Sequence, residues 1–137
     1  MEDLQKEFIP YDRALRMKAL GFDEPCFGKY LSSLQSDWKE FELILEMGMN
    51  EEFEDNRNIY LLEEACSAPT FSQAFRWFRE KYKLHSTITS ISQESWQWHI
   101  TKPGESLGKL YDEDFYTYEE AELACLKKLI EIVKKIK

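Results

Sequence analysis

The sequence predicts a single α+β domain spanning residues 1–137, with an antiparallel sheet packed against about three helices. Apolar residues make up 43% of the chain and aromatic residues 15%, which is enough to bury a core. Segments with helical apolar periodicity flank a β-branched and aromatic stretch that predicts a hairpin. The predicted order is therefore helix, β-region, helix, β-hairpin and C-terminal helix.

The first helix is predicted in "PYDRALRMKALGF". Pro10 suits a first helical turn, and Gly21 suits a left-handed C-terminal cap with Phe22 folding back as its apolar contact. The following "DEPCFGKY" predicts a loop that leads into a strand.

The β-region after this loop is less uniform. In "WKEFELILEM", the alternation of Phe41, Leu43 and Leu45 favours a strand, while Trp38, Phe41 and Leu45 also fit a helical spacing. The segment "MNEEFEDNRN" predicts an acidic loop, and "IYLLEEA" predicts either a short strand or a turn of helix.

The second helix is predicted in "APTFSQAFRWFREKYKL", where Thr70 and Gln73 have the spacing of a capping box. Its apolar residues form one stripe: Phe71, Ala74, Phe75, Phe78 and Tyr82. A basic stripe of Arg76, Arg79 and Lys83 lies beside it.

"HSTITSI" and "WQWHIT" predict the two strands of the hairpin. If Ser92 opposes Ser95, the cross-strand pairs are Ile91 with Trp96, Thr89 with Trp98 and Thr87 with Ile100. This register places Trp96, Trp98, Ile100 and Ile91 on one face. It also directs His85 and His99 to opposite faces, and "KPGESLGKLYDED" is predicted as a loop.

The last helix is predicted in "FYTYEEAELACLKKLIEIVKKIK". Thr117 and Glu120 have capping-box spacing, and Tyr116 is placed to form a hydrophobic staple onto Ala121. The predicted inward positions are Ala121, Cys125, Leu129, Ile132 and Ile136.

The charge distribution limits the partners of the chain. The net charge is −8, because residues 1–70 carry a net of −9 and residues 71–137 a net of +1. An acidic surface repels phosphate backbones, so we expect no direct nucleic-acid binding. The chain has no apolar stretch long enough to cross a membrane and no signal-like start, and its three cysteines are widely spaced. We therefore expect no membrane association and a cytoplasmic location.

No motif predicts catalysis, a metal site or a cofactor. His85 and His99 have no cysteine or carboxylate at ligand spacing, and no phosphate-binding glycine loop or nucleophile motif is present. The carboxylates Glu51, Glu52, Glu54 and Asp55 are predicted to be solvated, and the cysteines are predicted to be core residues. We expect a protein that is not an enzyme.

Three segments of the chain resemble a family of small hypothetical proteins from phages and prophages of Bacteroidota. These segments are "PYDRALRMKALGFDEPCFGKY", "APTFSQAFRWFREKYKL" and "YTYEEAELACLKKLIEIVKK". Residues 31–66 are longer and more acidic than this family's pattern. The resemblance implies a phage-encoded accessory protein in the cytoplasm of the bacterial host. It supplies no catalytic residues.

From this resemblance we expect a binding protein with a role in host interaction or counter-defence. One class of ligand that it could bind is a small nucleotide immune signal. Aromatic rings would stack on the base and basic side chains would neutralise the phosphate. The candidate ligand-binding residues are Trp96, Trp98, His99, Arg76, Arg79 and Lys83. The alternative is that the tryptophans belong to the core and that the arginines are a solvated face.

Two further binding roles stay open. The acidic half could occupy a basic cleft and so block a host protein directly. The chain could also be an interaction protein without a small ligand, which binds through exposed aromatic residues, and a homo-oligomer belongs to this alternative.

Overall fold

The computed structural model describes residues 6–32, 41–45, 66–103, 105–106 and 114–136, and it confirms the α+β class. The elements are α1 (Tyr11–Ala19), β1 (Gly28–Ser32), β2 (Phe41–Leu45), β3 (Cys66–Ala68), α2 (Phe71–Tyr82), β4 (His85–Ser92), β5 (Ser95–Lys102), β6 (Glu105–Ser106) and α3 (Tyr118–Ile136). The described strands form two antiparallel sheets, of order β2-β1-β3 and β4-β5-β6, where one sheet was predicted. The chain divides into an N-terminal unit, Met1–Phe71, and a C-terminal unit, Ser72–Lys137.

Helix α1 ends as the sequence predicts. Gly21 has a φ of 101°, a left-handed conformation that glycine adopts without steric cost. The Gly21 N–H donates to the Lys18 carbonyl, and the Phe22 N–H donates to the Met17 carbonyl, both at 3.0 Å. These two bonds form a Schellman motif, and the buried Phe22 and Met17 provide its apolar contact.

Strand β1 is the central strand of the N-terminal sheet. Its pairing with residues 41–45 settles the predicted ambiguity of that segment in favour of a strand. On the other edge, Tyr30 of β1 lies opposite Cys66 of β3. The Tyr30 hydroxyl donates a 2.6 Å hydrogen bond to the Ile9 carbonyl, which ties the segment before α1 to this sheet.

Helix α2 begins at Phe71, directly after the predicted cap residue Thr70. The buried side includes Ala74, Phe78 and also Trp77, which the predicted stripe omitted, while Phe75 and Tyr82 are only half-buried. The helix is followed by Lys83, which has a φ of 58°, and the Leu84 N–H then donates to the Phe78 carbonyl.

The hairpin has the predicted strands but a different register. Ser92 pairs with Ser95 as predicted, and the register then shifts at a β-bulge between Ser90 and Ser92. Ser90 therefore opposes Trp96, and Ile91 is the extra residue in the bulge. The observed pairs are His85 with Thr101, Ser86 with Ile100, Thr87 with His99, Ile88 with Trp98, and Thr89 with Gln97.

Two predictions fail because of this bulge. Ile91 does not join the face of the tryptophans and is 55% exposed, while Ile88 takes the position opposite Trp98. The two histidines share a face, because a shift of one residue reverses the side to which β4 residues point. The predicted loop after β5 also contains β6, which pairs with the end of β5.

Helix α3 has the predicted N-cap, since the Glu120 N–H donates a 3.1 Å bond to the Thr117 hydroxyl oxygen. The predicted staple is wrong, because Tyr116 is 76% exposed. The inward face also differs from the prediction: Ile132 is half-buried and Ile136 is 60% exposed. The buried residues are Ala121, Cys125, Leu126, Leu129, Ile130 and Val133, a stripe that follows the 3.6-residue period.

The predicted acidic loop at 49–58, with its carboxylates Glu51, Glu52, Glu54 and Asp55, lies outside the described residues, as does the short element predicted at 59–65. Among the described helices, none is long and apolar enough to span a membrane.

Candidate functional site

The inner face of the hairpin, on which Trp96, Trp98 and Ile100 lie, is covered by α3. Trp98 is 4% exposed and Ile100 is fully buried. Ser86, which shares this face through its pairing with Ile100, forms a hydrogen bond with the Cys125 thiol of α3. Because α3 packs against β4 and β5, Trp98 is a core residue and its ring cannot stack on a ligand.

His99 lies on the opposite, outer face of the hairpin. This face is polar, and its residues are His85, Thr87, Thr89, Gln97, His99 and Thr101. His99 is half-buried there beside exposed threonines, so the structure separates it from the two tryptophans. Within the described residues, no group of three or more His, Cys, Asp or Glu side chains is arranged to hold a metal ion.

Two residues of the predicted basic stripe, Arg76 and Arg79, lie on α2, and Lys83 directly follows the helix. Arg76, Arg79 and Lys83 are all exposed. In the part of the chain that the structure describes, no hydrogen bond, ion pair or ring contact joins these three side chains to the tryptophans or to His99. Among the described residues, Lys81 does lie on an aromatic ring, with its Nζ 5.2 Å from the centroid of the Trp77 ring.

Trp96 belongs to a different group of residues, the aromatic cluster, which we define as Trp96, Phe115, Tyr116 and Tyr118. Trp96 and Phe115 exchange two backbone hydrogen bonds, of 2.7 Å and 2.9 Å, in an antiparallel bridge. The rings of Trp96 and Tyr118 meet edge to face at 5.4 Å. Tyr118 is 40% exposed and Tyr116 more so, so the cluster presents aromatic surface to solvent.

Acidic groups surround the aromatic cluster. Asp114 precedes it and accepts a hydrogen bond from the Gln97 amide, while Glu119 and Glu120 are exposed in the first turn of α3. Burial raises the pKa of Tyr118, and the charge and hydrogen bond of Glu122 raise it further. The Tyr118 hydroxyl therefore holds its proton more tightly than an exposed tyrosine does. The sequence signal for this cluster is the aromatic and acidic segment "DFYTYEE", from which only the start of a helix is predicted.

The cysteines are not suited to nucleophilic chemistry. All three are buried, and none of them forms a disulfide. Burial raises the pKa of Cys66 and of Cys125 to about 12, so the thiolate is scarce at neutral pH. Cys66 and Cys125 therefore act as small core residues.

The structure thus brings together only part of the predicted site. Arg76 and Arg79 share α2, and Lys83 directly follows this helix. Trp96 joins an unpredicted aromatic cluster, Trp98 is core, and His99 faces away from both tryptophans. Comparisons with protein-family models, with curated proteins and with solved structures find no match to this chain.

Proposed function

We propose that this chain is a non-enzymatic binding protein that recognises a basic surface of a partner protein through the aromatic cluster. The observation that carries the proposal is the exposed aromatic surface at the start of α3, formed by Tyr116 and Tyr118 beside Trp96. Tyrosine and tryptophan supply large contact areas at little entropic cost, and they are enriched among residues that dominate binding energy.

The charge around the aromatic cluster specifies the partner as basic. In the sequence, Asp114 precedes the cluster and Glu119 and Glu120 follow it; all three are exposed, and the chain as a whole carries a net charge of −8. Lysine or arginine side chains from a partner would meet carboxylates at the rim and aromatic faces at the centre. The same field repels nucleic acid and acidic proteins.

In this proposal the chain is phage-encoded and acts in the cytoplasm of a bacterial host, where it blocks a host protein directly. The phage setting rests on the resemblance of its helical segments to small phage and prophage proteins. The buried thiols of Cys66 and Cys125 are poor nucleophiles, which supports a binding role over a catalytic one.

The test is affinity capture from lysate of a Bacteroidota host, with proteins eluted by a salt gradient and identified by mass spectrometry. Wild type is compared with Tyr116→Ser and Tyr118→Ser, and Phe27→Ser is the control because Phe27 is an exposed aromatic residue of the N-terminal unit. We expect a basic protein that wild type and Phe27→Ser retain alike, and that the two tyrosine variants bind at least roughly tenfold more weakly.

Salt should elute this partner, because the rim contacts are screened at high ionic strength. A partner retained equally by all variants would place binding on another surface. The absence of any partner, or the recovery of acidic proteins alone, would also reject the proposal.

A second candidate function is the sequestration of a small anionic ligand, such as a nucleotide signal, on α2. It is favoured by the basic stripe, since Arg76, Arg79 and Lys83 are exposed and pair with no described carboxylate. A bound nucleotide raises the melting temperature by mass action. We would measure thermal shifts with a panel of nucleotides for wild type and Arg79→Ala, with Lys134→Ala on α3 as the control. Equal shifts in all three proteins would exclude α2 as the binding surface.

A further inference from the structure

We propose that the outer edge of β4 pairs with the same strand of a second copy of this chain, antiparallel and centred on Ile88. The pairing would join the two C-terminal sheets into one continuous sheet. This inference does not depend on the binding of a partner at the aromatic cluster. It rests on the hydrogen-bonding pattern of the edge, on the sequence of β4 and on the absence of charge along it.

Strand β4 is an edge strand. In the C-terminal sheet the order is β4-β5-β6, so only one side of β4 is paired within the described part of the chain. Most β4 side chains are exposed, and Ser86 and Ile88 are the half-buried exceptions. An unpaired edge presents a row of backbone donors and acceptors that another strand can use.

The residues that present these groups follow from the pairing of β5. Trp96 exchanges both of its backbone hydrogen bonds with Phe115, on the side of β5 away from β4. Its partner Ser90 is therefore in a non-hydrogen-bonded pair, and the pattern alternates along an antiparallel ladder. The N–H and C=O groups of Ser86, Ile88 and Ser90 thus point to the free edge, while those of Thr87 and Thr89 bond to β5.

The sequence of this edge is self-complementary in the antiparallel sense. Residues 86–90 read Ser-Thr-Ile-Thr-Ser, which is identical in both directions. With a two-fold axis at Ile88, each Ile88 opposes its copy and Ser86 opposes Ser90 of the second copy. Each of these pairs exchanges two backbone hydrogen bonds, because all three residues present their groups outward. Thr87 opposes Thr89 of the second copy, a favourable cross-strand pair.

Side-chain burial agrees with this geometry. Ile88 lies on the inner face opposite Trp98 and is half-buried, so part of its side chain remains in water. Pairing about Ile88 would place the two isoleucines next to each other and remove more of this apolar surface from water. Within β4, the bulge at Ile91 ends the regular edge and limits the pairing to residues 86–90.

Charge selects a second copy as the occupant. Strand β4 contains no Asp, Glu, Lys, Arg or Pro, although 32% of the chain is charged. Edge strands that must avoid self-pairing usually carry such residues. An acidic chain with a net charge of −8 is repelled by its copies over most of its surface, and β4 is a strand along which that local repulsion is absent.

The test is a pair of charge variants studied by sedimentation velocity over a range of concentrations. In Thr87→Lys/Thr89→Lys, each lysine opposes a lysine of the second copy. In Thr87→Lys/Thr89→Glu, each lysine opposes a glutamate. Both positions are exposed on the outer face, so each variant should keep the wild-type circular dichroism and melting temperature.

We expect a reversible wild-type dimer, a double-lysine variant that dissociates roughly tenfold more readily, and restored dimerisation in the Lys/Glu variant. Added salt should strengthen the wild-type dimer, because it screens the repulsion between acidic copies. A wild type that is monomeric at every concentration overturns the proposal. A dimer that neither variant alters also overturns it, because the interface then lies elsewhere. Binding of basic partners at the aromatic cluster is measured separately and weakens with salt, so the two proposals fail in distinguishable ways.

Discussion

The hydroxyl group of Tyr30 donates a hydrogen bond to the carbonyl oxygen of Ile9 across 21 residues of sequence, and the two atoms lie 2.6 Å apart. The bond links strand β1 to the segment that leads into α1. It satisfies a buried carbonyl and a buried hydroxyl at once, so both groups depend on it. The C-terminal unit contains the opposite case, because the Tyr82 hydroxyl is buried and has no hydrogen-bond partner among the described residues.

Replacing these two tyrosines by phenylalanine should change stability in opposite directions. Tyr30→Phe removes the donor and leaves the Ile9 carbonyl unsatisfied, which should lower the free energy of unfolding by about 1–2 kcal/mol. Tyr82→Phe keeps the ring contacts with Trp77 and Phe78 and removes an unpaired hydroxyl, so stability should be unchanged or rise by up to about 1 kcal/mol. Urea unfolding measures both. Equal losses in the two variants would contradict this assignment.

The protein should lose stability in alkaline solution. Burial raises the pKa of Cys66 and Cys125 from 9.0, and of Tyr30 from 10.0, to about 12. Above their unfolded pKa values these groups hold their protons only in the folded state. Stability is therefore complete below about pH 9 and falls toward pH 12, by about 1.4 kcal/mol per pH unit for each group that is titrating.

Denaturant titrations at several pH values would measure this slope. Tyr30→Phe removes one titrating group, so its slope above pH 10 should be smaller than that of wild type. A flat profile between pH 9 and pH 12 would show that these groups are accessible to solvent in the folded chain.

Gly21 and Lys83, which are both left-handed, should respond oppositely to substitution. Gly21→Ala places a Cβ at a φ of 101° and should cost about 1–2 kcal/mol, because the Schellman bonds of α1 require this backbone angle. Lys83→Gly relieves a φ of 58° at a non-glycine residue and should stabilise by up to about 1 kcal/mol, the gain being reduced by the entropy of glycine in the unfolded chain. Thermal unfolding of both variants, with Lys81→Gly inside the helix as a destabilising control, tests the contrast.

The two tryptophans of β5 should differ in their contribution to stability. Trp98 is almost fully buried beneath α3, so Trp98→Ala should lower the free energy of unfolding by about 3–5 kcal/mol. Trp96 is half-buried and borders the aromatic cluster, so Trp96→Ala should cost less. Circular dichroism during urea unfolding measures both changes. A smaller loss for Trp98→Ala than for Trp96→Ala would contradict the assignment of Trp98 to the core.

The sequence predicts well the features that depend on local chemistry. Three such features are observed: the cap at Thr117, the glycine turn at Gly21 and the start of α2. Each follows from residue types that are favoured at helix ends because they satisfy unpaired backbone groups there. The α+β class is confirmed for the same reason, because the periods of the apolar residues differ between helices and strands.

Features that depend on a count of residues between strands are harder to predict. The bulge at Ile91 has no glycine or proline to mark it, so the sequence predicts a regular register for the hairpin. Because Ile91 is an extra residue, His85 lies on the face of the sheet opposite to the predicted one, and Ile91 itself is exposed. The aromatic cluster escaped prediction because Trp96 and Phe115 meet through a backbone bridge between distant segments.

The bulge also determines where the chain can lose a residue. Ser92 pairs with Ser95 and Ser90 pairs with Trp96, so Ile91 lies between two matched pairs. A chain without Ile91 would keep every other pairing of the hairpin, and its β4–β5 ladder would then be regular. A deletion elsewhere in β4 would exchange the inward and outward sides of the residues that precede it. Length variation among natural or engineered versions of this hairpin should therefore be concentrated at this one position.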